Sequence, residues 1–195
     1  MKGSNTGFAL GVCALALVLV AQSSAQNSDA DKMRTLIERG RLNVTLGGCN
    51  DCHTPKIMTP KGPVFDTTRT LSGSPSDWKV VPVPVEVLGM DKWGAVGSPD
   101  FTAWGGPWGI SFARNLTPDV ATGLGSWTEA MFIKALRTGK DMGEGRDILP
   151  PMPWFNLALL PDSDLKAIFA YLKSLKPIKN AVHDPIPPPA PPSGH

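Results

Sequence analysis

The feature that most constrains this chain is the pentapeptide Cys49-Asn50-Asp51-Cys52-His53. Two thiols three positions apart lie within one turn of backbone, and each can add across a vinyl group of a porphyrin to form a thioether bond. The histidine after the second thiol then lies beneath the ring, where an imidazole nitrogen can bind the iron. Cys-x-x-Cys-His is the attachment signature of c-type haem. It predicts one covalent haem c, attached through Cys49 and Cys52 and ligated by His53.

Three other uses of these cysteines are open. A structural zinc site needs four ligands, usually from two separated clusters, and the sequence has no second cluster. A thioredoxin-like dithiol needs a βαβ context, which the chain does not offer. A disulfide between cysteines at this spacing requires strained geometry. The haem interpretation is therefore favoured.

Residues 1–25 are predicted to be a secretory signal peptide. Lys2 provides a positive start, Phe8 to Ala21 is an almost unbroken apolar run, and Ser23-Ser24-Ala25 offers small residues for cleavage. The run is short for a bilayer span, which needs ~20 residues, although an uncleaved membrane anchor is the alternative. The leader predicts a periplasmic protein, for which membrane association is compatible with the sequence but not required.

The charge of the chain is nearly balanced, with 19 basic and 17 acidic residues. A nucleic-acid-binding protein needs a basic field that attracts phosphates, and this chain has none. The balance also provides no strong electrostatic steering toward a particular protein partner.

The remaining chain is predicted to form one monohaem domain, residues 26–180, followed by a proline-rich tail, residues 181–195. The chain has 20 glycines and 20 prolines, and prolines recur so often between residues 54 and 113 that long helices are excluded there. This segment is predicted to be mostly a loop insertion. Its tryptophans form either a small satellite core or part of a haem edge, whereas the tail is expected to be extended and solvated.

Three helices are predicted in the domain, which gives an all-α fold. The first spans 29–46, with Met33 on its apolar face. The second begins at a capping box formed by Ser126 and Glu129 and buries Phe132, Ala135 and Leu136 before Gly139 ends it. The third runs from Asp162 to Leu175, where apolar residues recur at helical spacing.

The second iron ligand is predicted to be Met152. Its loop, Pro150-Pro151-Met152-Pro153, is stiffened by prolines, which reduces the entropy lost when a weak thioether ligand is held in place. Met142 is the next candidate. The two later histidines, His183 and His195, lie in or near the tail and are poorly placed to reach a core.

Four segments resemble the class I c-type cytochromes: CNDCHTPK around Cys49, ARNLTPDVATGLGSWTEAMFIKALRTG from Ala113, ILPPMPW around Met152, and DLKAIFAYLKSLKPI from Asp164. Within that class the chain is most similar to bacterial cytochromes allied to the cytochrome subunits of alcohol, aldehyde and gluconate dehydrogenases. The similarity covers residues 31–180.

This resemblance implies a helical fold wrapped around one haem, with the first and last helices crossing near Gly40 against Tyr171 or Leu172. It implies His53 as the proximal ligand and Met152 as the distal one. It also implies that Trp127 or Arg114 approaches a haem propionate, although plain core packing is an equal alternative for Trp127.

The function predicted from these features is single-electron transfer through a His/Met-ligated haem, without enzymatic activity, between redox partner proteins. A haem enzyme needs an open or displaceable distal position and usually an acid–base residue beside it. Two alternatives stay open: a haem enzyme or small-molecule-binding haem protein, and an electron-transfer subunit of a membrane-bound dehydrogenase.

Overall fold

The computed structural model describes residues 6–188 and the side chains of residues 26–188. The predicted signal peptide, residues 1–25, lies outside the residues whose side chains are described, and residues 189–195 of the predicted tail lie outside the description altogether. Among residues 26–188, no helix is long and apolar enough to cross a membrane.

In the described chain, five short strands lie between two helices that precede them and three that follow. The elements are α1 (Thr6–Leu46), α2 (Cys49–His53), β1 (Lys56–Thr59), β2 (Gly62–Phe65), β3 (Val96–Gly97), β4 (Ala103–Gly106), β5 (Gly109–Phe112), α3 (Glu129–Thr138), α4 (Trp154–Leu157) and α5 (Asp162–Ser174). Single 3-10 turns occur at Thr67–Arg69, Val85–Val87 and Asp141–Gly143. The strands form a two-stranded antiparallel sheet, β1-β2, and a three-stranded antiparallel sheet, β3-β4-β5.

The all-α prediction is wrong, because five short segments of the insertion at 54–113 pair into these two sheets. Its prolines exclude long helices but tolerate four-residue strands, since Pro63 lies in a two-stranded ribbon opposite Met58. Two-residue connections join β1 to β2 and β4 to β5. The valines from residue 81 to 87 alternate around prolines, a pattern that allows short edge strands. They form no strand, and the last of them make a 3-10 turn.

The last two predicted helices are present, with one change in capping. The N-cap of α3 is Thr128 rather than Ser126, because the Thr128 hydroxyl accepts a hydrogen bond from the Met131 amide at 3.2 Å. Gly139 ends the helix in the left-handed conformation at φ 67°, as predicted.

The hydrophobic core lies where α1, α3 and α5 meet. Met33 does not belong to it, because its side chain is 52% exposed; α1 joins the core further along, at Val44. The buried members are Val44, Leu71, Leu124, Trp127, Phe132, Ala135, Leu136, Leu165, Ile168, Phe169 and Leu172.

Helices α1 and α5 cross at Gly40. A Cβ added to Gly40 would overlap the Ala167 carbonyl and lie 2.8 Å from the Tyr171 Cβ. The crossing is therefore at the predicted glycine, with Ala167 as a contact that the sequence did not indicate. Beside it, Asp164 accepts hydrogen bonds from Arg39 at 2.5 Å and Asn43 at 2.9 Å.

The predicted tail is not fully solvated where it is described. The Ile186 amide donates to the Ile110 carbonyl at 2.9 Å, and the Ile110 amide donates to the Ile186 carbonyl at 2.8 Å. Residue 186 therefore pairs with the free edge of β5.

We expect Gly40→Ala to weaken the packing of α1 on α5. Overpacking at a close helix contact costs about 1–3 kcal/mol of unfolding free energy, which urea unfolding of the purified protein would measure. Gly94→Ala is the matched control, because a Cβ at Gly94 meets no atom within 4 Å. Equal stability of the two variants would contradict the close crossing.

The Asp164 interactions predict a pH dependence. Hydrogen bonds from Arg39 and Asn43 hold the pKa of Asp164 below its ordinary value of 3.8. A lowered native pKa contributes stability that is present above the ordinary value and is lost as the pH falls through the native pKa. Asp164→Asn should therefore lower the melting temperature at pH 7, and the difference from the unmodified protein should shrink below pH 3.8. Asp29→Asn is the control. It removes an exposed ion pair with Lys32 and should leave the melting temperature unchanged both at pH 7 and below pH 3.8.

Candidate haem site

The pentapeptide forms the single-turn helix α2, directly after α1. The Gly47 amide bonds the Asn43 carbonyl at 2.8 Å, and Gly48 adopts the left-handed conformation at φ 63°, which ends α1 and turns the chain. One helical turn then brings Cys49 and Cys52 onto the same side of the backbone. Both cysteines are free thiols.

His53 is buried and held in one tautomer. Its Nδ1 lies 2.7 Å from the Arg114 carbonyl oxygen, so Nδ1 carries the hydrogen and Nε2 carries the lone pair. Burial lowers the pKa of His53 and the charge of Arg114 lowers it further, while the bond to the carbonyl acts in the opposite direction. A neutral imidazole with a lone pair on Nε2 is the form that binds a metal.

The backbone of His53 is fixed by a loop that follows β2. The Gly73 amide donates to the His53 carbonyl at 2.8 Å, and the next residue, Ser74, donates to the Ala113 carbonyl at 2.8 Å. Gly73 has φ 80°, and a Cβ there would overlap Ala113 and the Arg114 backbone. This glycine therefore permits the close approach of three chain segments around His53.

Arg114 contributes its side chain as well as its carbonyl. Its guanidinium carbon lies 5.0 Å from the centre of the Trp127 ring, and its Nη1 is 2.5 Å from an Asp141 carboxylate oxygen. Its Nε is buried without a hydrogen-bond partner. The structure thus brings His53, Arg114 and Trp127 together, with one N–H group of Arg114 unsatisfied.

The two thiols have different surroundings. Burial raises the pKa of the Cys49 thiol to about 11. Burial also raises the pKa of Cys52, although the positive charge of Lys56 and the Trp104 indole favour its thiolate. Next to Cys52 opens a cavity of about 350 Å³, whose lining residues are Asp51, Cys52, Lys56, Phe101 and Trp104.

Met152 lies on a different loop and is half-buried. The loop is tied to the insertion through Ser111, whose hydroxyl donates to the Pro150 carbonyl at 2.5 Å. Behind it, Trp154 packs so closely on Gly139 that a Cβ there would lie 2.5 Å from the indole ring. The alternative residue, Met142, is 39% exposed.

Among residues 26–188, no group of three or more His, Cys, Asp or Glu side chains is arranged to hold a metal ion.

The chain resembles cytochrome c subunits of dehydrogenases. It is 30% identical over 171 residues to the gluconate 2-dehydrogenase cytochrome c subunit of Pantoea cypripedii, covering 87% of this chain and 30% of that protein. It is 29% identical over 168 residues to the cytochrome c subunit of the quinone alcohol dehydrogenase of Gluconobacter oxydans, covering 85% of this chain and 26% of that protein. These relatives confirm the resemblance predicted from the motifs and are consistent with a role in electron transfer.

A third relative is one of the subunits of nicotinate dehydrogenase from Pseudomonas putida. It is 28% identical over 175 residues, covering 89% of this chain and 12% of that protein. The chain therefore spans less than a third of the length of each of these relatives. No protein-family model matches it.

The sequence did not single out several residues around these cytochrome motifs. In the sequence, Trp104 is one of several tryptophans in the insertion and Gly73 is one of 20 glycines. Nothing in the sequence distinguishes Ser111 from other polar residues. The alternation of large and small residues from 108 to 112 is the signal that could have indicated strand β5. Nothing local indicates that β4 and β5 reach Cys52 and Pro150.

Proposed function

We propose that this chain is a c-type cytochrome that carries single electrons outside the cytoplasmic membrane. The observation that carries the proposal is the geometry around His53. Its ring is buried, its Nδ1 lies 2.7 Å from the Arg114 carbonyl oxygen, and two free thiols lie in the same helical turn. A covalently attached haem uses these three groups together.

The residues present fit one covalent haem. Cys49 and Cys52 offer two thiols for thioether bonds, His53 offers Nε2, and the cavity beside Cys52 provides space at the attachment edge. When bound, the haem supplies an iron that cycles between the ferrous and ferric states. The protein holds the iron ligands and limits the access of water.

Met152 is our proposed second ligand. Its loop is held by the Trp154 amide, which donates to the Met152 carbonyl at 2.9 Å, and by the Ser111 hydroxyl, which donates to the Pro150 carbonyl at 2.5 Å. This support suits a thioether that must stay in place through both oxidation states. A filled distal position favours electron transfer over ligand binding or catalysis, and a Met ligand raises the reduction potential.

Arg114 and Trp127 are our proposed contacts to a haem propionate. The unsatisfied, buried Nε of Arg114 needs an acceptor, because a buried donor without a partner is costly. A propionate carboxylate would provide that acceptor, and Trp127 holds the guanidinium from its ring face.

The domain organisation that we propose is a signal peptide at 1–25, a monohaem domain at 26–180 and a proline-rich tail at 181–195, in a periplasmic protein. The relatives are named as subunits of dehydrogenases. We therefore propose that the partners are redox proteins, and that service as the electron-transfer subunit of a dehydrogenase is the second candidate function.

Met152→Ala tests the axial pair. We expect the oxidised protein to show a sulfur-to-iron charge-transfer band that this variant loses, because no thioether then reaches the iron. Met142→Ala is the matched control and should keep the band. An unmodified protein that is high-spin and binds cyanide readily would contradict the proposed carrier.

Cys49→Ser with Cys52→Ser tests covalent attachment. We expect the haem of the unmodified protein to stay with the polypeptide after acid–acetone extraction, and the double variant to release any haem that it binds. Haem that stayed with the double variant would show that the thiols are not the attachment residues.

Arg114→Gln tests the propionate contact. A positive charge near the haem disfavours the ferric state, so its removal should lower the reduction potential measured by redox titration. Arg146→Gln, at an exposed arginine, should leave the potential unchanged. If the two variants had the same reduction potential, the proposed contact between Arg114 and a haem propionate would be wrong.

A further inference from the structure

Strand β5 and the two residues after it reach both sides of the candidate site. The Ser111 hydroxyl donates to the Pro150 carbonyl at 2.5 Å, two residues before Met152. Three residues after Ser111, the Arg114 carbonyl accepts the hydrogen bond from His53. One short segment, from Ser111 to Arg114, is thus bonded both to the helix that carries His53 and to the loop that carries Met152.

The Ser111 hydroxyl is directed at Pro150. Ser111 is only 9% exposed, and its oxygen accepts a hydrogen bond from the Trp108 indole at 3.3 Å. A hydroxyl has a single hydrogen to donate, and the Pro150 carbonyl at 2.5 Å is closer than the other acceptor, the Trp104 carbonyl at 3.4 Å. The bond to Pro150 is therefore the principal one.

The strand that carries Ser111 is fixed along both edges. On one side β5 pairs with β4 over four residue pairs, in which Ser111 lies opposite Trp104. On the other side Ile110 makes two backbone hydrogen bonds with Ile186. Ser111 therefore lies on a strand that is hydrogen-bonded to other segments of the chain on both edges.

The loop around Met152 makes its own hydrogen bonds only to neighbouring residues, of which the shortest runs from the Trp154 amide to the Met152 carbonyl at 2.9 Å. Pro150, Pro151 and Pro153 have no amide hydrogen, and the Met152 amide makes only a long bond to Leu149 at 3.4 Å. Among the described residues from 149 to 153, the Ser111–Pro150 bond is the hydrogen bond that comes from a distant part of the chain.

We propose that Ser111 is a positioning residue for the distal ligand. Its hydroxyl holds the Pro150 carbonyl and thereby keeps the Met152 thioether at the iron. The segment from β5 to Arg114 is bonded to both the Met152 loop and His53, and so fixes the distance between the two ligands. This inference rests on the proposed function, because it requires Met152 to be an iron ligand.

In the test, imidazole is added to the oxidised haem protein, where it competes with Met152 for the iron. Loss of the sulfur-to-iron band measures how much imidazole has bound. Ser111→Ala should bind imidazole about three- to tenfold more tightly than the unmodified protein, the range that corresponds to one lost hydrogen bond. Ser111→Thr keeps a hydroxyl and should restore an affinity close to that of the unmodified protein.

Ser98→Ala is the matched control. Ser98 is also 9% exposed and lies next to the same sheet, but its hydroxyl bonds Asp100 and the Ala103 amide rather than Pro150. A general loosening of the sheet would shift imidazole affinity equally in Ser98→Ala and Ser111→Ala, and that result would overturn the proposal.

Two further outcomes are informative. If Ser111→Ala yields no haem protein, Trp108→Phe decides, because it removes the donor that orients the Ser111 hydroxyl and should tighten imidazole binding in the same direction. An unchanged affinity in that variant overturns the inference. If the unmodified protein lacks the sulfur-to-iron band, or if Met152→Ala keeps that band, the proposed His53/Met152 ligand pair is wrong. If Ser111→Ala has a normal band and an unchanged affinity for imidazole, only the positioning role of Ser111 is wrong.

Discussion

The hydrogen bond between His53 and the Arg114 carbonyl is the interaction on which the rest of the site depends. It joins groups 61 residues apart, so the long insertion must leave α2 and return to it. The loop at Gly73 and Ser74 fills the space between the two ends of that excursion and bonds to both. Because the same bond fixes the imidazole tautomer, the path of the backbone determines which nitrogen is free for a metal.

The helical part of the fold was readable from sequence because its signals are local. In α5 the apolar residues recur along one face, and Leu165, Ile168 and Leu172 are buried as that pattern requires. The start of α3 was misplaced by two residues because Ser126 and Thr128 are both good caps, and only the backbone decides between them. The strands were missed because each has at most four residues and their partners lie beyond glycine and proline turns.

The candidate site divides in the same way. Cys49, Cys52 and His53 lie within five consecutive residues, so their spacing alone indicates how they can act together. The contacts of Trp104 with Cys52 and of Ser111 with Pro150 depend on the register of β4 against β5, and register is set by pairing between distant segments. The family resemblance indicates Arg114 for its side chain, as a contact to a haem propionate, whereas the contact with His53 is made by its backbone carbonyl.

The pairing of Ile186 with Ile110 has a consequence for biosynthesis. A ribosome makes residue 110 long before residue 186, so β5 is left with one open edge while the intervening helices are being synthesised. Its unpaired amide and carbonyl groups are then exposed to water or to other chains. The sheet that borders Cys52 is completed only when Ile186 pairs with Ile110, so the final shape of this region depends on a segment that is synthesised much later than β5.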